Sequence, residues 1–516
     1  SAVHLDIDCQ VGHRAFTIDP KRFPKIDSFT QELAETGVRL IAINNPGIKF
    51  SRKSNLFLEG QVLNGFCTYP TGELAIASVW AGAMAFPDFT NPKVRAWWSR
   101  QYAYLLDVGV AGFWHDMNEP AAFVSWGDPS LPQVAQHCLE GRGGDHREAH
   151  NVYGLLEAEA AYESIRQYRP QQRPFIVSRS GWAGLQRYAW TWTGDTISTW
   201  EALRQTVATV VGLGLSGIPY TGPDIGGFQG NPSAELYVRW FQMATFLMFC
   251  RTHSSTSVAP RTPWTYGEPY LSIVRSFLQL RYRLMPYFYT LAWEVTQKGY
   301  PPVRPLFWGD RGDRALWDIE DAFYLGDALL VCPVVQEKER SRSLYLPKGY
   351  WYNFWKDAAI EGGKTIELDS PLEQIPLLVK AGSILPMEED RQLILHLYSP
   401  VKRAEEQRGG GAEENSYHQL PITNYQLPIQ NSYTLYTDAG DGYGESRRDR
   451  FTLTQYEDSL ELTWEQQGNY DFPYQSVQLH VHGVSLQQAW VDDRETPVQG
   501  QQLQCHFFHR VRFRCD

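Results

Sequence analysis

Over its first 300 residues the chain alternates between short apolar runs, each ending in polar side chains, and longer stretches with helical spacing. The apolar runs are AVHLDID, VRLIAINN, AGFWHDMNE, FIVSRS, YAWTWTGD, GIPYTGPD and FLMFCRTHS. Near-continuous hydrophobic strands separated by helices are typical of a parallel sheet whose faces are covered by helices. The pattern therefore predicts an α/β fold made of repeated strand–helix units.

One helix can be placed in detail, over the segment NPKVRAWWSRQYAYLL. Asn91 is suited to cap its N-terminus, and Pro92 fits the first turn, where the missing N–H has no intrahelical partner to lose. A single apolar face then follows at helical spacing: Val94, Trp97, Trp98, Tyr102 and Leu105. The spacing predicts that this face is buried.

Polar and acidic residues collect at the C-terminal end of every predicted strand. In (β/α)8 TIM barrels the active site is built at that end of the strands. A Rossmann sheet would carry a glycine-rich phosphate turn after its first strand, and the sequence contains none there. The sequence thus predicts a TIM barrel. It supplies seven such strands where a barrel needs eight, so we expect the first barrel strand to precede residue 2.

After about residue 300, strands separated by Gly and Pro turns replace the helices. The runs FYLGDALLVCPVV, SRSLYLPKGYWYNFW, IPLLVKAGSILP and LILHLYSP are typical of a β-sandwich. A polar segment with a Gly triplet and the short repeat LPITNYQLPIQN is predicted to be an insertion or linker. The predicted domains are the barrel over 1–300, a proximal β-sandwich over 301–400, this insertion over 401–432 and a distal β-rich domain over 433–516.

Composition narrows the classes of partner. Aromatic residues make up 14% of the chain, with 18 Trp, and flat amphipathic rings suit surfaces that receive sugars, although most of these rings will be core. A net charge of −11 argues against nucleic acid as a partner. No apolar run approaches the roughly 20 residues that span a bilayer. The 7 Cys are scattered without a CxxC pair, which favours a reducing compartment and predicts a cytoplasmic protein.

The stretch AGFWHDMNEP delivers acidic groups directly after a predicted buried strand. Asp116 should therefore point into the barrel mouth, and capping of the next helix is the alternative explanation. Acids also end other predicted strands: Asp6, Asp8, Asp195 and Asp224. Paired carboxylates beside aromatic side chains suit the cleavage of glycosidic bonds. From the residues alone, Asp195 and Asp224 both remain candidates for the second carboxylate.

Six segments in order resemble the signatures of glycoside hydrolase family 31, the α-glucosidase family. They are HLDID, VWAGAMAFPDFTNP, GFWHDMNEP, SRSGWAGLQRYAWTWTGD, GLSGIPYTGPDIGGF and FCRTHS, and PVRPLFW and LPKGYWYNFW extend the resemblance past residue 300. The resemblance implies a TIM barrel followed by C-terminal β-sandwich domains. It also implies an N-terminal β-sandwich and a first barrel strand that this sequence lacks, so we expect the full-length protein to be longer.

The resemblance implies a retaining, two-step hydrolysis of terminal non-reducing α-linked glucose from oligosaccharides. Asp116, in the DMNE signature, would be the nucleophile that forms a glycosyl ester. Asp195, ending WTGD, would be the general acid and then the base. Retention requires the two carboxyl groups to stand about 5–5.5 Å apart. We expect neighbouring Trp192 and other carboxylates to raise the pKa of Asp195.

The same resemblance implies a pocket for the terminal sugar. Its residues would be Asp6, Ile7, Ile48, Trp80, Met117, Arg179, Trp192, Asp224, Phe228 and His253. Asp6, Asp224 and His253 would hydrogen-bond sugar hydroxyls. Arg179 would lie near the nucleophile and keep it ionised, and Glu119 is expected to orient its neighbours rather than to catalyse. No cofactor and no metal is implied, because two carboxylates and water suffice.

Two departures from the family pattern lie near this pocket. The chain has WAG at Trp80–Gly82 where the family usually has WPG, and NPGI, beginning at Asn45, where the family has DPGI. Asn45 removes a charge near the expected pocket.

Several alternatives stay open. HREAH places His146 and His150 four residues apart, as in some metallohydrolases, but the zincin pattern needs a Glu directly after the first His. An inactive sugar-binding fragment is a second alternative, although Asp116 and Asp195 are both present. Within the family, an α-xylosidase, an α-transglucosidase and the lyase variant share the barrel. A homo-oligomer is also left open by the sequence.

Overall fold

The computed structural model describes residues 1–123, 129–400 and 428–515. Its helices, α1 to α9, are Ile26–Glu35, Asn55–Val62, Pro92–Gln101, Ala103–Asp107, His146–Tyr168, Trp200–Leu215, Ala234–Ala244, Tyr270–Arg283 and Met285–Lys298. No helix within these ranges is long and apolar enough to cross a membrane. The chain divides into two compact units. Unit 1 is Ser1–Gly194, Ser216–Pro223 and Asp441–Tyr443, and unit 2 is Asp195–Leu215, Asp224–Gly440 and Gly444–Asp516.

Unit 1 is built on a parallel sheet. Its strands, β1 to β9, are Ala2–Leu5, Arg39–Ile43, Ile48–Lys49, Ile76–Val79, Gly82–Ala85, Gly112–His115, Gln136–His137, Gly144–Asp145 and Ile176–Ser178. Strands β1, β2, β6 and β9 form one sheet in that order, with every neighbouring pair parallel. All four residues of β6 are buried, as expected for a strand covered on both faces.

Four of the seven predicted barrel strands are regular strands, and three are shorter than predicted. In YAWTWTGD, Trp190 makes a single parallel bridge to Val177. In GIPYTGPD and FLMFCRTHS, the ladder is reduced to one parallel bridge between Asp224 and Arg251. The backbone at these positions still bonds in strand fashion, because Thr191 N–H donates to the Tyr220 carbonyl at 3.0 Å. GIPYTGPD carries Gly and Pro, which interrupt a continuous ladder, whereas FLMFCRTHS contains neither and its short pairing has no such local cause.

The predicted helix after residue 91 is present, but it is broken into α3 and α4 at Tyr102. The Asn91 side chain accepts a hydrogen bond from Lys93 N–H at 3.0 Å, and Pro92 is the first helical residue. The whole predicted apolar face is buried in the core of unit 1: Val94, Trp97, Trp98, Tyr102 and Leu105. The cap and the buried face are therefore confirmed.

In unit 2 the change from helices to strands lies where the sequence predicts it. Helix α9 ends at Lys298, and Gly299 closes it with a φ of +69°, a left-handed conformation that glycine adopts at little cost. The strands β10 to β27 are Val303–Arg304, Phe323–Leu325, Leu329–Val331, Ser341–Leu346, Tyr350–Asn353, Ala359–Glu361, Lys364–Asp369, Leu377–Lys380, Ile384–Glu389, Gln392–Tyr398, Ile429–Asp438, Ser446–Gln455, Ser459–Gly468, Ser476–His482, Leu486–Val491, Arg494–Thr496, Gln502–Cys505 and Arg510–Cys515.

These strands surround two hydrophobic cores, and the second core crosses the domain boundary predicted at residue 400. Strands β18 and β19 pair with β23 and β26 in one sheet, in the order β18-β19-β23-β26. Leu393, Leu395 and Leu397 therefore pack in one core with Leu435 and Leu479. Most of the predicted insertion, residues 401–427, lies outside the described residues, and β20 begins at Ile429.

Arg239 on α7 ties this helix to the proximal strands of unit 2. Its side chain is buried and donates to the carbonyl oxygens of Ser370 at 2.7 Å, Gln374 at 2.8 Å and Pro371 at 3.1 Å. A lysine ammonium has neither the reach nor the planar fork to satisfy several carbonyls at once. This arginine therefore satisfies a turn whose carbonyl groups have little access to water.

We expect Arg239→Met to lower the free energy of unfolding by about 3 kcal/mol, because it leaves buried carbonyl groups without donors. Thermal unfolding followed by calorimetry would measure the loss as a lower Tm. Arg275→Met on α8 is the matched control, since Arg275 is exposed, and it should change stability by less than about 0.5 kcal/mol. Equal effects of the two substitutions would contradict the role assigned to Arg239.

Candidate active site

Asp116 stands immediately after β6, at the C-terminal end of the sheet of unit 1. The strand before it is anchored by His115, whose side chain is buried and whose Nε2 lies 2.8 Å from the Tyr102 hydroxyl. Burial lowers the pKa of His115 to about 3, so its ring is neutral at ordinary pH. The end of β6 is thus fixed by uncharged contacts, and the first ionised group along this strand end is Asp116.

Arg179, the residue after β9, connects three groups of the neighbouring strand end. Its backbone N–H donates to the His115 carbonyl at 3.0 Å. Its Nη1 lies 2.9 Å from Asp116 Oδ1, while Nε and Nη2 donate to the two oxygens of Glu119 at 2.8 and 2.9 Å. The Arg179 and Asp116 side chains are only 16% and 18% exposed. A guanidinium held bidentately by one carboxylate is a rigid positive charge beside the other, which favours its ionised form.

The turn between Asp116 and Glu119 is held by Asn118, which is fully buried. Its Nδ2 donates to Ser178 Oγ at 2.8 Å, and its Oδ1 accepts from Ser180 N–H at 3.0 Å. Gly154 on α5 has to be glycine here, because a Cβ would lie 2.8 Å from the Asn118 carbonyl oxygen. Asn118 and Ser178 were not predicted as site residues from the sequence, although both lie inside the quoted motifs.

The aromatic candidates of unit 1 occupy two places. Trp192 is buried, and its ring meets that of Trp114 edge to face at a centroid distance of 5.9 Å. Trp80 is 54% exposed on the turn between β4 and β5. Together with Met117 and Asn45 it lines a small pocket. Asn45, the residue that departs from the family pattern, therefore does face a pocket formed by predicted site residues.

The remaining predicted site residues of unit 1 lie at the end of β1, on the turn that follows it and on β3. The Asp6 side chain accepts from Ile7 N–H at 2.7 Å and caps a short 3-10 turn that follows β1. Ile7 is half-buried in that turn. Ile48 is buried in β3, which pairs with β5. Asp6 lies at a strand end as predicted, and part of its hydrogen-bonding capacity is used locally.

In unit 2, Asp224 forms a buried ion pair with Arg251. Arg251 Nη2 and Nε approach Asp224 Oδ1 at 2.6 and 3.0 Å, and Asp224 is fully buried. Burial, opposed by Arg251 and aided by the nearby charge of Asp195, raises the pKa of Asp224 to about 6. Asp224 Oδ2 has no hydrogen-bond partner among the described residues. Arg251 was not predicted as a site residue, although it lies two residues before His253 in the segment FCRTHS.

His253 and Phe228 form a second group in unit 2. Their rings stack with centroids 5.3 Å apart and an interplanar angle of 29°. Phe228 N–H donates to the Thr196 carbonyl at 2.8 Å, which joins this group to the segment that carries Asp195. Burial, and then the positive charges of Arg251 and Arg261, lower the pKa of His253 to about 3. The Asp195 side chain itself is exposed.

The metallohydrolase alternative finds no support in the HREAH segment. His146 begins α5, and both of its ring nitrogens are engaged: Nδ1 lies 3.0 Å from His137 Nε2, and Nε2 lies 3.2 Å from Ser130 Oγ. The buried group Cys67, Asp88 and His137 has metal-ligand chemistry. However, His137 Nδ1 is already 3.0 Å from Asp88 Oδ1, and the other Asp88 oxygen accepts from Cys138 N–H at 2.6 Å.

Two family models match the chain. The Glycosyl hydrolases family 31 TIM-barrel domain matches residues 1–291, and the Glycosyl hydrolase family 31 C-terminal domain matches residues 299–385. "Alpha-glucosidase 2" of Bacillus thermoamyloliquefaciens is 33% identical over 498 residues, covering 96% of this chain and 61% of that protein. An alpha-glucosidase of Saccharolobus solfataricus is 36% identical over 427 residues, covering 78% of this chain and 60% of the relative. The chain thus spans about three fifths of the length of these relatives.

Two solved structures share the fold. A Flavobacterium johnsoniae GH31 dextranase complexed with glucose has a TM-score of 0.87 at 24% identity and covers 99% of this chain and 66% of its own. A GH31 alpha-xylosidase from Xanthomonas citri has a TM-score of 0.79 at 24% identity, covering 99% of this chain and 55% of its own. With the family models, these likenesses confirm the predicted fold class, a TIM barrel followed by C-terminal β domains.

The lowered pKa of His253 predicts how stability depends on pH. Between about pH 6.5 and 3 the unfolded histidine binds a proton that the folded one does not, so stability falls as the pH drops through this window, by up to about 1.4 kcal/mol per pH unit. Thermal unfolding at several pH values should show a shallower decline for His253→Gln and His253→Asn than for the unsubstituted chain. Parallel declines in all three proteins would contradict the assigned neutral state.

Proposed function

Because the chain belongs to glycoside hydrolase family 31, we propose that it forms the catalytic part of a retaining, exo-acting α-glucosidase. It would release terminal non-reducing glucose from α-linked oligosaccharides. The observation that carries the proposal is the clamp at the end of β6, where Arg179 holds Asp116 and Glu119 together. The alpha-glucosidases at 33% and 36% identity support the choice of substrate.

Asp116 is the proposed nucleophile. Its carboxylate oxygen attacks the anomeric carbon as the bond from that carbon to the leaving oxygen breaks, which gives a covalent glycosyl-aspartate. This step needs an ionised carboxylate, and the Arg179 guanidinium at 2.9 Å favours that state. Glu119 takes the role of a positioning residue, since its two oxygens fix the plane of the guanidinium.

Asp195 is the proposed general acid and base. In the first step it gives its proton to the leaving glycosidic oxygen. In the second it takes a proton from water, whose oxygen attacks the anomeric carbon and frees the Asp116 carboxylate. Within unit 2, Asp195 lies near enough to Asp224 for its charge to raise the pKa of that buried group.

The proposed sugar pocket follows from the hydrogen-bonding capacity that the candidate residues retain. Asp224 Oδ2, which has no partner among the described residues, can accept from a sugar hydroxyl, while Arg251 holds the other oxygen. A neutral His253 can donate or accept such a bond. A site built to bond hydroxyls rejects sugars that lack them. The other proposed pocket residues are Asp6, Ile7, Ile48, Trp80, Met117, Arg179, Trp192 and Phe228.

Other substrate specificities are compatible with the same proposed mechanism. The Xanthomonas citri alpha-xylosidase and the Flavobacterium johnsoniae dextranase share the fold, so xylosidase and transglucosidase activities are the alternatives to test. The predicted domain division, a cytoplasmic location and a homo-oligomer are likewise proposals. An inactive sugar-binding protein is the outcome in which no covalent intermediate forms.

Covalent trapping tests the proposal. The protein is incubated with a 5-fluoro-α-glucosyl fluoride, and its intact mass is measured together with that of the labelled peptide. We expect one fluoroglucosyl adduct per chain, on the peptide that contains Asp116, because the ring fluorine slows both steps while the fluoride leaving group keeps formation of the ester faster than its hydrolysis. The xylosyl analogue, which lacks the hydroxymethyl group, should label much more slowly.

Asp116→Asn is the decisive variant, with Asp107→Asn as a matched control at the end of α4. The first should abolish labelling and the second should leave it unchanged. An adduct that persists in Asp116→Asn would overturn the assignment of the nucleophile. Faster labelling by the xylosyl reagent would replace the glucosidase with a xylosidase and leave the mechanism intact.

A further inference from the structure

Three histidines lie together on one face of the sheet that contains β19 and β23. The two strands are parallel, and His396 is the register partner of His480. His482 follows two residues later on β23, so its side chain points to the same face. The opposite face carries Leu395, Leu479 and other members of the hydrophobic core. The alternation of the two strands thus brings three imidazole rings to one side of the sheet, away from the core.

The nitrogen atoms of these rings stand at distances that suit a metal ion. His396 Nδ1 lies 3.0 Å from His482 Nε2, and one nitrogen from each of His396, His480 and His482 can be chosen so that all three lie within 4.8 Å of one another. Two nitrogens bound tetrahedrally to zinc at about 2.0–2.1 Å are separated by about 3.3 Å. The rings of His480 and His482 are stacked at 23°, so a common centre requires them to rotate until their nitrogens converge.

Asp357 supplies the contact that a metal-binding histidine usually makes through its other nitrogen. His482 Nδ1 lies 2.9 Å from Asp357 Oδ1. A proton on Nδ1 that is donated to this carboxylate leaves Nε2 as the unprotonated nitrogen, which faces His396 Nδ1 and would exchange that hydrogen bond for a metal. The Tyr398 ring stacks on His482 at a centroid distance of 4.2 Å and limits its rotation. The ring is thus held in the tautomer and orientation that a ligand needs.

The solvent exposure of the three histidines, and a nitrogen that makes no hydrogen bond, are also compatible with a bound ion. His480 and His396 are half-buried, so solvent reaches the group, while His482 is 8% exposed. His396 Nε2 is buried and has no hydrogen-bond partner among the described residues. The group of Cys67, Asp88 and His137 differs in access, because all three residues are buried, and the Asp88 oxygens are engaged by Thr90 and by the backbone of Cys138.

We propose that His396, His480 and His482 bind one divalent transition-metal ion, with Zn²⁺ the best match, and that Asp357 orients His482 for it. Imidazole ligands favour zinc, nickel and copper over magnesium or calcium, which prefer oxygen. Three protein ligands leave the fourth position to water on the exposed side. The ion joins β19 to β23 and, through Asp357, to the loop that follows β14 (Tyr350–Asn353). This site is independent of the proposed glycosidase activity.

Metal titration tests the site without any substrate. The full-length protein, prepared without a histidine tag and stripped with a chelator, is titrated with ZnCl2 in a calorimeter and with CoCl2 in a spectrophotometer. We expect saturable binding of one ion per site, visible cobalt absorption bands of a low-coordinate complex, and a higher Tm with Zn²⁺. MgCl2 should give neither binding heat nor a shift in Tm.

Three variants assign the ligands. His480→Gln should weaken Zn²⁺ binding at least tenfold, and Asp357→Asn should weaken it by about 10–100-fold through the orientation of His482. His506→Gln, an exposed histidine of the same unit, is the matched control and should bind as the unsubstituted protein does. Absence of saturable Zn²⁺ binding would overturn the proposal and leave a hydrogen-bonded histidine pair. Binding that is unchanged in His480→Gln and Asp357→Asn would also overturn it.

Discussion

The arrangement of the candidate site depends on one guanidinium group. Arg179 stands at the end of β9 and reaches the residues that follow β6, so its three nitrogens are bonded to two carboxylates from a neighbouring strand end. Since both carboxylates are partly buried, the positive charge offsets the cost of holding two negative groups close together. Removing this charge would leave Asp116 and Glu119 in mutual repulsion. The parallel pairing of β6 with β9 is what places the charge there.

Neighbouring residues of unit 1 hold Asp116 and Arg179 in place. His115 is held neutral by burial, and Asn118 ties the turn after Asp116 to Ser178 and Ser180. Such contacts leave the acidic side chains few alternative positions, which is the preorganisation that enzymatic electrostatics require. Unit 2 also contains a carboxylate fixed by an arginine. Arg251 bonds one oxygen of Asp224, and the other oxygen has no protein donor among the described residues.

Local features of the sequence predicted local structure well. The Asn91 cap, Pro92 at the first turn and the buried face of α3 follow from spacing and side-chain chemistry, and so do the four regular strands of the parallel sheet. The three shortened strands were not predictable from apolar runs, because an apolar run does not show how many ladder bonds its backbone makes, and these segments form only single bridges. Arg251 was missed since its partner, Asp224, lies 27 positions earlier, and no spacing rule links the two.

Long-range pairing accounts for the other differences. The apolar pattern of β18 and β19 predicts strands but does not say which sheet they join, and they pair with β23 and β26 across the predicted boundary at residue 400. The same limit applies to the histidines. HVH at residues 480–482 places two rings on one face, yet the third ring comes from a parallel strand 86 residues away from His482. The proposed roles of Asp116 and Asp195, by contrast, come from the resemblance to a known family, because spacing alone leaves the choice of the second carboxylate open.

The central claim is that Asp116 forms a covalent bond to the sugar, and the configuration of the first product tests it most directly. Proton NMR recorded in the first minutes of hydrolysis of an α-glucoside distinguishes the two anomers of glucose before they interconvert. Two displacements at the same carbon predict that α-glucose is released first. Initial release of β-glucose would mean a single displacement by water, and it would contradict a nucleophilic Asp116.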